Sequence, residues 1–213
     1  MKITSRMLPA EVVREVKDQV NVQVKADRQR LALLKSNFRY FSMVDRIAAI
    51  LKFGISDREK INCDLLSGTL VQGQCYSNCH QCCSMDLEYE VEAFDVLLAY
   101  WLNRGTVISA YLAGNLARDK RWCGFLEAGL CTIHHYKPYI CLLTSPSPRG
   151  AEKGGCYFRG EKNSKTSVHK QTMLATGRMR ELFKEWLPEL PEFAGRNVNQ
   201  AFIWAVNKMK SIS

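Results

Sequence analysis

Apolar residues recur along this chain mostly at helical spacing. From Pro9 onward, Val13, Val16, Val20, Val24, Leu31 and Leu34 mark one face of a helix, with Arg14, Lys17, Asp18, Lys25 and Arg28 elsewhere on it. Because the polar face mixes both charge signs, it reads as a packing helix rather than a membrane-surface helix. Two helices with readable ends follow. Ser42 precedes MVDRIAAILKF, which Gly54 stops; Ser56 and Glu59 form a capping box before KINCDLL, which Gly68 stops. Cys63 lies inside this last helix and reads as a core residue. TLVQ, residues 69–72, suits a short strand.

A long helix is predicted from about Glu90 to Asn103, ended by Gly105, and another from about Thr106 to Lys120. Between Arg121 and Gly160, turns, glycines and prolines replace any sustained period. A final helical pair, about Ser167 to Leu187 and Asn197 to Ile212, is separated by PELPEFAG, where Pro188 and Pro191 make the break firm. The predicted fold is mainly α, with helices flanking a loop-rich cysteine site and little β. Residues 1–70 form a helical N-terminal extension packed on the core, 71–160 the cysteine region and 161–213 the C-terminal helical pair, in one compact domain overall.

The N-terminal segment lacks the apolar core of a secretory signal, and the longest apolar run, Val96 to Leu102, is far too short to span a membrane. A soluble, cytoplasmic protein is expected, with no membrane partner. Nine cysteines in such a compartment argue against a disulfide framework and for metal ligation. Net charge is +9, divided as +6 over residues 1–62, −5 over 63–115 and +8 over 116–213. Eight thiolates holding two divalent ions would lower the total to +5, so the basic excess is weak support for nucleic acid as a partner.

The cysteines fall in two groups. CYSNCHQCC carries Cys75, Cys79, Cys82 and Cys83; some forty residues on come Cys123, Cys131, Cys141 and Cys156. Thiolates are soft donors that suit zinc and iron–sulfur clusters, and short loops let two or three reach one centre. Adjacent side chains diverge in strand and helix alike, so Cys82 and Cys83 rarely serve one tetrahedral ion. Either they feed two centres or one of them packs; two centres divide the eight evenly. The Cys75-x3-Cys79-x2-Cys82 spacing is also that of radical S-adenosylmethionine enzymes, but their βα rhythm is missing here.

The first block, followed by WCGFLEAGLCTIHHYKPYIC and a last cysteine in GGCYF, resembles the cysteine-cluster family labelled zinc- or iron-chelating, of the YkgJ type. Cys123, Phe125, Leu126, Cys131, Ile133, Pro138, Cys141 and Cys156 match that family's pattern in order. The family's tyrosine is replaced by His134, and its two arginines by Lys137 and Leu142, which removes any role needing bidentate arginine there. The resemblance spans residues 75–156. It implies a metal site built from all eight cysteines, with iron–sulfur clusters, two 4Fe–4S units in the even division, or zinc as the cofactor. A larger relative, flagellin lysine N-methylase, carries a similar cysteine block; that likeness implies the alternative of an iron–sulfur-dependent redox or group-transfer enzyme, methyltransferase-like.

Other side chains have plainer readings. His80, His134 and His135 could complete a mixed site, but with enough cysteines present they read as a turn residue and flanking hydrogen-bonders; His169, in a helix, needs no special role. Asp86, Glu88, Glu90, Glu92 and Asp95 read as a solvated acidic helix N-terminus. Lys120, Arg121, Lys137, Arg149, Lys153 and Arg159 surround the second cysteine group, where cations stabilise thiolates. A nucleic-acid surface is the weaker alternative, since no reading motif accompanies them. Clustering of nearly all the thiols also speaks against a lone nucleophilic cysteine.

Overall fold

The computed structural model describes residues 10–38, 40–66, 90–117, 122–128, 130–143 and 162–212. Helix α1 spans Ala10–Phe38 and buries Val16, Val20, Val24 and Leu31, the stripe expected from the spacing. Helix α2 runs Met43–Leu66. Its N-terminus is closed reciprocally: the Asp45 N–H donates to Ser42 Oγ at 3.2 Å, while the Ser42 N–H and hydroxyl donate to Asp45 Oδ2 at 3.1 and 2.6 Å.

The two helices predicted here are one. Gly54 lies inside α2, where an added Cβ would come within 3.1 Å of Leu98 Cδ2 and of Met179 Sδ. This glycine lets α2 approach its neighbours closely instead of ending the helix, and packing outweighs its weak helix propensity. Ser56 and Glu59 are consequently mid-helix and exposed, and cap nothing. Cys63 is exposed, not core.

Strand β1, Val91–Glu92, leads into helix α3, Ala93–Leu102, which is buried from Ala93 to Tyr100. The helix ends at Asn103, where the backbone leaves helical geometry at φ −123° and ψ 27°; its N–H still donates to Ala99 O at 3.0 Å, and its Nδ2 shares that carbonyl at 2.7 Å. Helix α4, Arg104–Leu112, begins directly afterwards, so Gly105 sits within it and stops nothing. Turns at 113–116 follow, earlier than the predicted end at Lys120, a residue outside those described. Strands β2, Leu126–Glu127, and β3, Leu130–Cys131, form an antiparallel hairpin; a 3-10 turn, His134–Tyr136, and the short helix α5, Tyr139–Leu143, complete the irregular region.

Helix α6, Lys162–Trp186, strand β4, Phe193–Gly195, and helix α7, Val198–Ile212, close the chain. The helix pair matches the expected one, except that α6 starts five residues earlier. Helices α1 and α2 both pack on α6, and α3 packs on α7. Strands β1 and β4 pair antiparallel, with Val91 opposite Gly195, joining the start of α3 to the start of α7. Arg178 of α6 ties three helices: Nη1 donates to both Asp57 oxygens at 2.9 and 3.0 Å, Nη2 to Asp27 Oδ1 at 2.8 Å, and Nε to Asp27 Oδ2. The fold is mainly α, with short antiparallel strands. No helix among the described residues is long and apolar enough to cross a membrane. The segment TLVQ and Gly68 lie outside the described residues.

Candidate metal centre

Cys123 and Cys131 belong to one hairpin. The Leu126 N–H donates to Cys123 O at 3.0 Å, Leu126 stands opposite Cys131, and the Thr132 N–H donates to Phe125 O at 2.8 Å. The hairpin is anchored from beneath: the Phe125 and Phe202 rings meet edge to face with centroids 4.7 Å apart. The Gly124 N–H donates to Asn199 Oδ1 of α7 at 2.8 Å, and a Cβ on Gly124 would fall 2.4 Å from Asn115 O. Only glycine allows that approach between the turn after α4 and the start of α7. The turn itself includes Ala128, at φ 48°.

Cys141 arrives from the other side on α5. A five-residue helix is too short to hold itself, so its placement comes from outside. Asp95 of α3 supplies its amide side: the Tyr139 N–H donates to Oδ1 at 2.7 Å and the Ile140 N–H to Oδ2 at 3.1 Å. Arg58 of α2 supplies the carbonyl side, Nη2 donating to His135 O and Lys137 O, both at 3.1 Å. Asn103 Nδ2 also donates to Tyr136 O at 3.0 Å. Both charges are deeply buried, Arg58 at 2% and Asp95 at 4% exposure. Burial pushes the Asp95 carboxyl up to about 7, despite the two amide bonds and Arg58, which oppose it. Burial likewise lowers the Arg58 pKa; its guanidinium lies 5.4 Å from the centre of the Tyr139 ring, which offsets part of that cost.

Cys123, Cys131 and Cys141 all sit half-buried at the edge of the core, and none is in a disulfide. Burial pushes the Cys141 thiol well above its usual range, the charges of Cys123, Asp95 and Cys131 add to this, and Lys137 opposes it. Cys123 and Cys131, from one hairpin, therefore lie within electrostatic reach of Cys141 on α5. They are soft donors, so their chemistry fits zinc or an iron–sulfur centre. Among the described residues no three His, Cys, Asp or Glu side chains are grouped to hold a metal ion. The other expected ligands, Cys75, Cys79, Cys82, Cys83 and Cys156, lie outside the described residues, as do His80, Asp86, Glu88, Lys120, Arg121, Arg149, Lys153 and Arg159.

His134 and His135 are exposed on the 3-10 turn, their rings 6.1 Å apart and edge to face. Burial, then Lys137, His135 and Arg58, lower the His134 pKa. The reading of Asp95 as a solvated helix-terminal acid is overturned, because the carboxylate is enclosed and bonded to α5. Glu92 is likewise largely buried, its side chain 16% exposed, and held by Arg180, while Glu90 is exposed. Asp95 stands as a lone charge inside the apolar run AFDVLLAYWL, which is the signal of a buried, partnered acid. Arg58 lies among other polar residues in SDREK and carries no comparable signal.

Residues 74–172, a little under half of the chain, match the CxxCxxCC family model, described as "Putative zinc- or iron-chelating domain". The matched stretch contains both cysteine groups, α3, α4, the hairpin, α5 and the first part of α6. Metal binding is the class of function this match supports. No curated protein and no solved structure matches the chain.

Proposed function

We propose that this chain is a metal-binding protein whose eight cysteines, Cys75, Cys79, Cys82, Cys83, Cys123, Cys131, Cys141 and Cys156, hold iron–sulfur clusters or zinc. The observation that carries the reading is the match of residues 74–172, which contain all eight cysteines, to a zinc- or iron-chelating family model; the electrostatic reach of Cys123 and Cys131 to Cys141 agrees with it. Four and four thiolates would serve two centres. That division, with the adjacent Cys82 and Cys83, favours iron–sulfur over zinc. Segments 1–70 and 161–213 act as the scaffold, and 71–160 supplies the ligands.

When bound, zinc would add folding free energy, whereas an iron–sulfur centre would also supply electron transfer. Asp95 and Arg58 hold the backbone that leads into Cys141, and Lys137 and Arg58 would serve as countercharges to its thiolate. The test is metal analysis with a visible absorption spectrum on protein purified without oxygen. Stoichiometric iron with sulfide-to-iron charge-transfer absorption, or stoichiometric zinc, supports the reading; neither metal present overturns it.

A further inference from the structure

The residues that grip α5 are more than packing. We propose that Arg58 and Asp95 are positioning residues of the metal centre: two buried groups, on α2 and α3, that hold backbone 135–140 by its carbonyls and amides respectively and fix the direction in which Cys141 meets the metal. This rests on the metal-binding reading above.

Three observations support it. First, both side chains hydrogen-bond the segment through its backbone, at 3.1 and 3.1 Å from Arg58 and 2.7 and 3.1 Å from Asp95, and Arg58 also lies 5.4 Å from the centre of the Tyr139 ring. The last residue held, Ile140, precedes Cys141 directly. Second, the grip is made at a cost that packing would avoid. Among the described residues, Arg58 Nε and Nη1 and the Tyr139 hydroxyl are buried and have no hydrogen-bond partner, and an apolar residue at position 58 would stabilise the same helix contact more simply. Third, the guanidinium and the Cys141 sulfur lie within electrostatic reach, so the charge retained at 58 also stands beside a ligand that becomes anionic on binding metal. Residues that orient ligands in this way commonly change metal affinity tenfold to a hundredfold when replaced.

The test uses full-length protein, purified without oxygen, as wild type, Arg58→Met, Asp95→Asn, Arg58→Lys and Leu31→Ala. The last is a core deletion in α1 that lowers stability without touching the segment. Two quantities are read: the rate at which excess EDTA removes zinc or iron, and the extent to which iodoacetamide labels Cys123, Cys131 and Cys141 in the metal-loaded protein. Arg58→Met and Asp95→Asn should lose metal about ten to a hundred times faster, with Cys141 labelled well ahead of Cys123 and Cys131. Arg58→Lys should recover part of the loss. If Arg58→Met fails to fold, the nearly isosteric Asp95→Asn carries the test. Wild-type rates in Asp95→Asn, or equal labelling of all three cysteines as in Leu31→Ala, overturn the proposal and leave the metal-binding reading intact. Wild-type protein without stoichiometric metal overturns that reading, and this proposal with it.

Discussion

The Asp95 carboxylate accepts the Tyr139 N–H at 2.7 Å across 44 residues of sequence, from inside a helix whose other residues are almost all apolar. Enclosure dominates its electrostatics, and the carboxyl is pushed up to about 7 from an ordinary 3.8. The folded state therefore binds a proton that the unfolded state has released between those values, and Asp95 costs stability as pH rises through that window. The urea midpoint of wild type should fall more steeply between pH 5 and pH 8 than that of Asp95→Asn. Parallel slopes in the two proteins would show that Asp95 does not titrate there.

Gly54 gives a prediction about α2. Its neighbours, Leu98 Cδ2 and Met179 Sδ and Cε, are the ends of flexible side chains, so a single methyl group at position 54 is accommodated by small shifts. Gly54→Ala should change stability by less than about 1 kcal/mol, the helix-propensity gain offsetting the crowding. Gly54→Val should destabilise by about 1–3 kcal/mol through overpacking. Denaturant unfolding of the two variants checks this, and equal losses in both would contradict it.

Arg178 holds two carboxylates, one of which, Asp27, is 2% exposed. Removing the cation leaves a buried anion unpaired, so Arg178→Met should cost about 3–5 kcal/mol. Arg178→Met combined with Asp27→Leu should recover much of that loss, because the stranded charge is gone. Chemical denaturation of the single and double variants measures both, and additive losses would contradict the pairing.

Helical periodicity made most of the scaffold legible. Val16, Val20, Val24 and Leu31 were read as one face and are buried together, and Pro188 and Pro191 do separate the last two helices. Glycine was the misleading signal. Gly54 and Gly105 resemble helix stops locally, yet one is a close contact between helices, invisible without the partner surface, and the other lies just past a break at Asn103, inside the next helix. The helix start read at Ser42 holds, with Asp45 as its capping partner, whereas the better-looking Ser56 with Glu59 is mid-helix. At the candidate site, spacing and residue type single out Cys123, Cys131 and Cys141, which the fold sets against the edge of the core. They do not single out Arg58, because it holds backbone carbonyls from 77 and 79 residues away, a pairing that leaves no pattern in either segment.

The central claim is that eight of nine cysteines are committed to metal while Cys63, exposed on α2, is not. Native protein purified without oxygen is treated with iodoacetamide, and each cysteine is then located by peptide mass spectrometry, with and without prior metal removal. The expected result is modification at Cys63 alone in the loaded protein, and at all nine cysteines once the metal is stripped. Modification of Cys123, Cys131 and Cys141 at the same rate in loaded and stripped protein would contradict the claim.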